Sequence, residues 1–180
     1  PGGNVTLDYT LKYDMHQLIV SAMYNNFQWN QEQDYIQTEE GRDTTHQQQN
    51  NYSHNQHIEV KADYEWKPTQ QSRLEAGYNY SRTWGTNNSV AYNMFADTQT
   101  ELYPYYAQFD NIVQNHALYV TYGNRFWDKL SIQVGLRGEY YMRHLESYYK
   151  DNNGTVQDSY AANPSKKDTA YFQLFPSAYI

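Results

Sequence analysis

Alternation of apolar and polar residues with a period of two is the feature that most constrains the fold of this chain. In residues 130–142, Leu130, Ile132, Val134 and Leu136 alternate with polar or small residues. Because successive side chains of a β-strand point to opposite faces, this pattern predicts a strand with one apolar face. The pattern recurs, in places more weakly, at residues 5–13, 18–29, 58–66, 74–84, 112–122 and 171–180. The sequence therefore predicts an all-β fold: an antiparallel up-and-down meander of about seven strands, most of them about 9–11 residues long, without a long helix.

The connections between these segments alternate strictly between short and long. The short ones are residues 14–17, 67–72 and 123–129; the long polar ones are residues 30–57, 85–111 and 147–170. Successive hairpin connections of a meander lie at opposite ends of the sheet, so all the long connections are predicted at one end. Short turns at one rim and long loops at the other are typical of an outer-membrane barrel. We therefore expect the strands to form part of a larger transmembrane β-barrel.

Aromatic residues replace the usual aliphatic core residues. The chain has 21 Tyr and 4 Trp at a mean hydropathy of -1.00. Tyr and Trp suit positions where one end of the ring is apolar and the other is hydrated, as at membrane interfaces. Several aromatic residues adjoin the predicted connections, and we interpret them as two belts bracketing an apolar band: Tyr64, Trp66, Phe126 and Trp127 beside short turns, and Phe27, Trp29 and Trp84 beside long loops. The alternative is that they cap the core of a water-soluble β-sheet protein.

Composition argues against several functional classes. The net charge of -7 does not favour nucleic acid as a partner. The absence of cysteine removes disulfides, thiolate nucleophiles and cysteine-based zinc sites. The six histidines form no ligand pattern, and Glu139 beside Arg137 and Arg143 suits an ordinary polar barrel lumen. We therefore expect no enzyme, no catalytic residue, no metal and no cofactor.

Three segments carry a family resemblance: residues 72–78 (SRLEAGY), residues 132–140 (IQVGLRGEY) and residues 172–178 (FQLFPSA). They resemble the C-terminal barrel of TonB-dependent outer-membrane receptors, and most closely the Gram-negative outer-membrane β-barrel family. The resemblance implies an outer-membrane location, contact with membrane lipid and a barrel of about 22 strands closed by a plug domain. It also implies a small nutrient ligand, and energy delivered by the TonB complex through the plug domain.

The chain departs from that family pattern in three respects. It has no plug domain, no TonB box and no terminal aromatic strand. About seven strands are also fewer than the eight that the smallest single-chain bacterial barrels use. We therefore expect residues 1–180 to be a single fragment of a barrel wall, and we expect the isolated fragment to associate with itself through its apolar face or open edges.

Aromatic residues in the long connections are the candidate ligand contacts. Tyr can contact a ligand over a large area at a low cost in conformational entropy. The candidates are Tyr92, Phe95, Tyr103, Tyr105 and Tyr106, which crowd one connection together with Phe109, and Tyr148 and Tyr149, which open another. The alternative is that these rings pack loop against loop as a lid.

The function predicted from the sequence is a barrel-wall fragment of an outer-membrane receptor for energy-coupled nutrient uptake. One alternative is a water-soluble β-sandwich that binds glycans through exposed aromatic residues. Another is a passive porin or adhesin barrel, which shares the architecture of the leading hypothesis. The identity of the substrate does not follow from the sequence.

Overall fold

All the strands lie in one antiparallel sheet. The computed structural model describes residues 2–38, 44–95, 98–101, 107–127, 129–150, 156–158 and 166–180, and these contain no helix. The strands are β1 (Gly2–Tyr13), β2 (His16–Gln37), β3 (Thr45–Trp66), β4 (Ser72–Phe95), β5 (Thr98–Glu101), β6 (Ala107–Phe126), β7 (Leu130–Lys150), β8 (Val156–Asp158) and β9 (Lys166–Tyr179). Seven long strands pair in the order β1-β2-β3-β4-β6-β7-β9, while β5 pairs with β4 and β8 pairs with β7. The predicted up-and-down meander is confirmed.

The central strands are about twice as long as predicted. β2 and β3 each have 22 residues and β4 has 24, so residues assigned from the sequence to long loops are largely strand. The pairing of β2 with β3 continues without interruption to Gln37 and Thr45. The prediction of 9–11 residues was wrong because both faces become polar beyond the apolar band. Alternation then fades from the sequence, although the backbone hydrogen bonds of the ladder continue.

The three short turns lie together at one end of the sheet, called the turn end below. The amide of Lys67 donates to the carbonyl of Met15 at 2.9 Å, which joins the first turn to the second. The amide of Arg125 donates to the carbonyl of Gln71 at 2.9 Å, which joins the second turn to the third. Antiparallel pairing places the longer connections at the opposite end, called the loop end, as predicted.

One face of the sheet is apolar along most of its width. Side chains at directly paired positions share a face, so the strand register assigns each residue to a face. One row across all seven long strands is Leu11, Leu18, Tyr64, Ala76, Val120, Leu136 and Pro176. The neighbouring row towards the loop end is Tyr9, Val20, Ala62, Tyr78, Leu118, Gly138 and Leu174. This surface is called the apolar face.

The opposite surface, called the polar face, has a different chemistry. One of its rows is Asp8, Ser21, Lys61, Asn79, Ala117, Glu139 and Gln173. Among the described residues, Ala117 is the one buried apolar side chain, so this part of the chain has no core between two layers. The two-layer sandwich considered as an alternative is therefore wrong for this region, since every described strand belongs to a single sheet.

The aromatic belts are confirmed only in part. Tyr64, Trp66 and Phe126 lie on the apolar face near the turn end, and Trp84 lies on the same face towards the loop end. Phe27 and Trp29 instead lie on the polar face, because they pair with Asn55 and Ser53. Distance from a predicted loop therefore did not predict which face these two rings occupy.

A tyrosine on the polar face spans two strands. The ring of Tyr119, on β6, lies over Gly77 of β4, and its hydroxyl donates a hydrogen bond to Asp63 on β3. A Cβ added at Gly77 would overlap the ring of Tyr119. The absence of a side chain at Gly77 therefore allows the ring to reach Asp63.

We expect Gly77→Ala to destabilise the folded protein by about 1–3 kcal/mol, because the Tyr119 ring must move and its hydrogen bond to Asp63 is then lost. The matched control is Gly123→Ala on the same face, where an added Cβ would meet its nearest neighbour at an ordinary 3.8 Å. Urea unfolding in detergent micelles measures both variants. Equal midpoints would contradict a structural role for this close approach.

Candidate ligand-contact surface

An exposed patch of amide, hydroxyl and aromatic side chains occupies the loop end of the polar face. Three rings project from β2 on this face: Phe27 is 54% exposed, Trp29 40% and Tyr35 51%. The register of β2, β3 and β4 surrounds them with polar residues. The amide–aromatic patch is defined as Phe27, Trp29, Gln33, Tyr35, Gln49, Asn51, Ser53, Asn55, Asn87 and Ser89.

Hydrogen bonds hold the polar side chains of this patch in place. The hydroxyl of Ser53 donates to the Asn87 Oδ1 at 2.6 Å, and the Asn55 Nδ2 donates to the Ser53 Oγ at 2.8 Å. The Gln49 Nε2 donates to the Ser89 Oγ at 3.0 Å. These bonds reduce the rotamer freedom that the side chains would otherwise lose when a ligand orders them.

The amide–aromatic patch is uncharged, whereas the turn end of the same face is rich in ion pairs. Among the described polar-face residues of β2 at positions 25–37, β3 at 45–55 and β4 at 85–89, none is Lys, Arg, Asp or Glu. The turn end contains five ion pairs made by four cations: Lys61 Nζ with Asp63 Oδ2 at 3.2 Å, Lys67 Nζ with Glu65 Oε1 at 2.7 Å, Arg137 Nε with Glu139 Oε1 at 2.5 Å, and Arg73 with both Glu65 and Glu75.

Most of the aromatic residues predicted as ligand contacts lie apart from this patch or outside the described residues. Tyr92 on β4 and Tyr148 on β7 lie on the same side of the sheet as the apolar face, and β6 runs between β4 and β7. Phe95 ends β4, and Tyr149 pairs with Ala107. Residues Tyr103, Tyr105 and Tyr106 lie outside the described residues. Phe27, Trp29 and Tyr35 were not among the candidate ligand contacts predicted from the sequence. Their odd residue numbers would have placed them on one face of a single strand, and this spacing was visible in the sequence.

A charged network joins β7 to β9 beyond the apolar band at the loop end. The two imidazole nitrogens of His144 contact different carboxylates: Nδ1 that of Asp168, and Nε2 the Glu146 Oε1 at 3.0 Å. The Lys166 Nζ lies 2.9 Å from the same Glu146 oxygen, and the Tyr148 hydroxyl donates to the other. Hydrogen bonds from Tyr148, Lys166 and His144 lower the pKa of Glu146 to about 2. The hydrogen bonds that His144 makes to Asp168 and Glu146 raise the pKa of His144.

This network predicts that the attachment of β9 to β7 depends on pH at the loop end. Because the pKa of His144 is raised, this residue stabilises the attachment of β9 to β7 fully below about pH 6.5. That stabilisation is lost as the pH rises through the raised pKa. Because the pKa of Glu146 is lowered, this residue stabilises the same attachment above about pH 4.5. That stabilisation is lost as the pH falls through about 2. We expect hydrogen exchange at the β9 amides to be slowest, after correction for intrinsic rates, between these limits.

His144→Gln is the control for this pH dependence, because glutamine keeps hydrogen-bonding capacity but does not titrate. It should remove the rise in exchange at high pH and leave the change at low pH. A high-pH rise that persists in this variant would contradict the assignment to His144.

In the part of the chain that the structure describes, no group of three or more His, Asp or Glu residues is arranged to hold a metal ion. None of the described segments is a helix long and apolar enough to cross a membrane.

Comparisons with solved structures relate the sheet to larger receptors. One similar structure is the ferric yersiniabactin uptake receptor FyuA from Yersinia pestis, with a TM-score of 0.60 and 12% identity over 98% of this chain and 25% of that one. Another is the ferric citrate transporter FecA in its unliganded form, with a TM-score of 0.52 and 15% identity over 98% of this chain and 24% of that one. The chain thus spans about a quarter of the length of these proteins. At these identities, the likeness shows the fold.

No curated protein matches the chain. The model of one protein family, described as the outer membrane protein beta-barrel family, matches residues 9–180. That match covers nearly all of the sheet, including all three segments on which the family resemblance rested. The chain therefore belongs to the outer membrane protein beta-barrel family, its sheet resembles the barrel wall of TonB-dependent receptors, and its location is the outer membrane.

Proposed function

We propose that the chain is one section of the wall of a larger, plugged barrel that imports a small nutrient using energy from the TonB complex. Two properties of the sheet support a section rather than a closed barrel. β1 and β9 stand at opposite edges of the sheet, and the seven long strands of the described residues are fewer than the eight of the smallest single-chain bacterial barrels. In this proposal the apolar face contacts lipid, and the polar face lines the lumen and faces the plug domain.

The observation that carries the uptake proposal is the division of the polar face into two chemically different halves. The turn end is densely ion-paired, which suits contact with a polar protein domain in the lumen. The loop end carries the uncharged amide–aromatic patch with exposed rings. A plain water-filled pore has no need of such rings, whereas a receptor must capture its ligand before import.

The chemistry of the amide–aromatic patch suits a neutral ligand rich in hydrogen-bonding groups. Side-chain amides both donate and accept hydrogen bonds, and aromatic faces pack against flat or apolar ligand surfaces. We propose that Phe27, Trp29 and Tyr35 contact the ligand at the wall. Of the aromatic residues predicted from the sequence, Phe95, Tyr103, Tyr105, Tyr106 and Tyr149 add ligand contacts in this proposal, whereas Tyr92 and Tyr148 lie on the other side of the sheet and do not. The proposal assigns no catalytic step and no cofactor to the chain.

The experiment uses the full-length protein in a strain that lacks the chromosomal gene. Uptake of labelled neutral oligosaccharides and labelled ferric chelates is measured with and without an uncoupler of the proton gradient. We expect uptake of at least one probe that the uncoupler abolishes and that Trp29→Ala reduces about tenfold or more, since stacking on one aromatic ring contributes roughly 1–3 kcal/mol. Trp84→Ala, which removes a tryptophan from the opposite face, is the matched control.

Other outcomes favour other functions. Uptake that continues with the uncoupler would indicate a passive porin. Equal uptake by the deletion strain and the complemented strain would contradict transport of these probes and favour an adhesin. Equal losses in the two tryptophan variants, with equal amounts of folded protein, would contradict ligand contact at the amide–aromatic patch.

A further inference from the structure

A single permanent charge interrupts the apolar face. Between the turn end and the row that contains Trp84, Arg82 is the only Lys, Arg, Asp or Glu that the described residues place on this face. A lipid-facing arginine costs roughly 2–4 kcal/mol at the bilayer midplane and about 0–1 kcal/mol near an interface. Arg82 is therefore tolerated on this face only if it lies near a membrane interface or if a counterion binds to it.

Among the described residues, the row of Arg82 contains no anion. The directly paired residues on β3 and β6 are Ile58 and Gln114. The guanidinium lies over the ring of Trp84, with Cζ 5.4 Å from the ring centroid. Its Nε is buried and has no hydrogen-bond partner among the described residues. The cation is thus oriented by an aromatic ring and has no carboxylate in its row among the described residues.

Polar groups gather beside Arg82 on the same face. His116 on β6 is one row nearer the turn end, where its Nδ1 lies 2.8 Å from the Tyr78 hydroxyl. Its ring centroid lies 4.8 Å from that of Tyr80. With Gln114, these side chains form a polar island within the apolar face. Hydroxyl, amide and imidazole groups can bind the polar part of a lipid, whereas they gain nothing from acyl chains.

The depth of this island matches the outer membrane–water interface. The apolar face of β4 begins at Leu74, close to the turn end, and a tilted spanning strand needs about 9–11 residues. That length ends at Arg82 and Trp84, and Trp is enriched at membrane interfaces. Because short turns are periplasmic and longer connections extracellular in such barrels, this interface belongs to the outer leaflet.

We propose that Arg82, oriented by Trp84 and flanked by Gln114 and His116, binds a phosphate group of a phosphorylated outer-leaflet glycolipid. The planar guanidinium can bind two phosphate oxygens at once, and the neighbouring polar side chains can bind the sugar that carries the phosphate. Phosphate is the anion that an outer-leaflet lipid presents at this depth. This lipid-binding proposal rests on membership of the outer membrane β-barrel family and on the contact of the apolar face with lipid. It does not rest on the proposed nutrient transport.

The test measures lipid binding by the full-length protein in a non-ionic detergent. Native mass spectrometry compares phosphorylated lipid A, dephosphorylated lipid A and inorganic phosphate as added ligands. We expect wild-type protein to prefer phosphorylated over dephosphorylated lipid A, and we expect Arg82→Gln to reduce that preference about tenfold or more, as loss of a charge-assisted hydrogen bond implies. Arg125→Gln, which removes a cation from the polar face near the turn end, should leave the preference unchanged.

Arg82→Lys separates recognition from folding. This variant keeps the charge and should retain part of the preference for phosphorylated lipid A, so it remains informative if Arg82→Gln does not assemble. Equal binding of the two lipids by wild-type protein would overturn the proposal. An undiminished preference in Arg82→Gln would also overturn it, and so would displacement of the lipid by inorganic phosphate at equal concentration, which would indicate a site for a free anion.

Discussion

Val120→Arg should prevent most of the full-length protein from assembling in the membrane. Val120 lies on the apolar face of β6, between Ala76 and Leu136 in its row. The spanning segment begins in the row of Leu74 and Tyr122, so Val120 lies one row inside its turn-end boundary. An arginine there costs more than the roughly 0–1 kcal/mol of an interfacial position and up to the roughly 2–4 kcal/mol of the midplane, a large part of the stability of an ordinary domain. The folded fraction in lipid vesicles, read from heat-dependent gel mobility, measures the effect.

The matched control places the same charge one residue further along the strand. Thr121 lies on the polar face and pairs with Glu75, so Thr121→Arg puts a cation beside a carboxylate. We expect this variant to assemble at close to the wild-type level. Equal losses in the two variants would contradict the assignment of the faces, because only the side of the sheet that receives the charge differs.

The isolated 180-residue chain should not be a monodisperse monomer in water without detergent. Val134, Leu136 and Leu118 are 48%, 46% and 66% exposed on the apolar face. Burial of apolar surface contributes about 25 cal/mol per Å², so several hundred Å² gives a driving force for association on the order of 10 kcal/mol. The edges at β1 and β9 add unpaired backbone groups that can pair with another chain. Light scattering with and without detergent measures the association.

Val134→Asp tests whether the apolar face drives this association. A carboxylate at this position should weaken association through the face and should disfavour insertion into micelles. If the wild-type chain is instead a monodisperse monomer in water, and the variant is folded and unchanged, the apolar face is not a lipid contact.

The strand order and the two ends of the sheet were predictable from the sequence. Alternation such as that of Leu130, Ile132 and Val134 depends on the period of the β-strand itself, which is local geometry. The alternation of short and long connections then fixed which turns share an end. The hydrogen bonds from Lys67 to Met15 and from Arg125 to Gln71 agree with that prediction.

The length of the strands was not predictable in the same way. In the extension of β2 and β3 both faces are hydrated, so a run such as residues 47–51 carries no alternation and resembles a loop. Its strand state depends on the partner across the ladder, as in the pairing of Gln33 with Gln49. A non-local hydrogen-bonded pairing leaves little trace in the local sequence.

The candidate sites depended most on tertiary structure. The sequence by itself determined that aromatic residues are abundant and that several adjoin the predicted connections, because composition and residue order are read from it directly. Only the register decided that Phe27 and Trp29 lie on the polar face, and that Arg82 lies on the apolar face beside Trp84. The physical reason is that a shift of one residue in pairing moves every side chain of a strand to the other face, and the register is fixed by neighbouring strands.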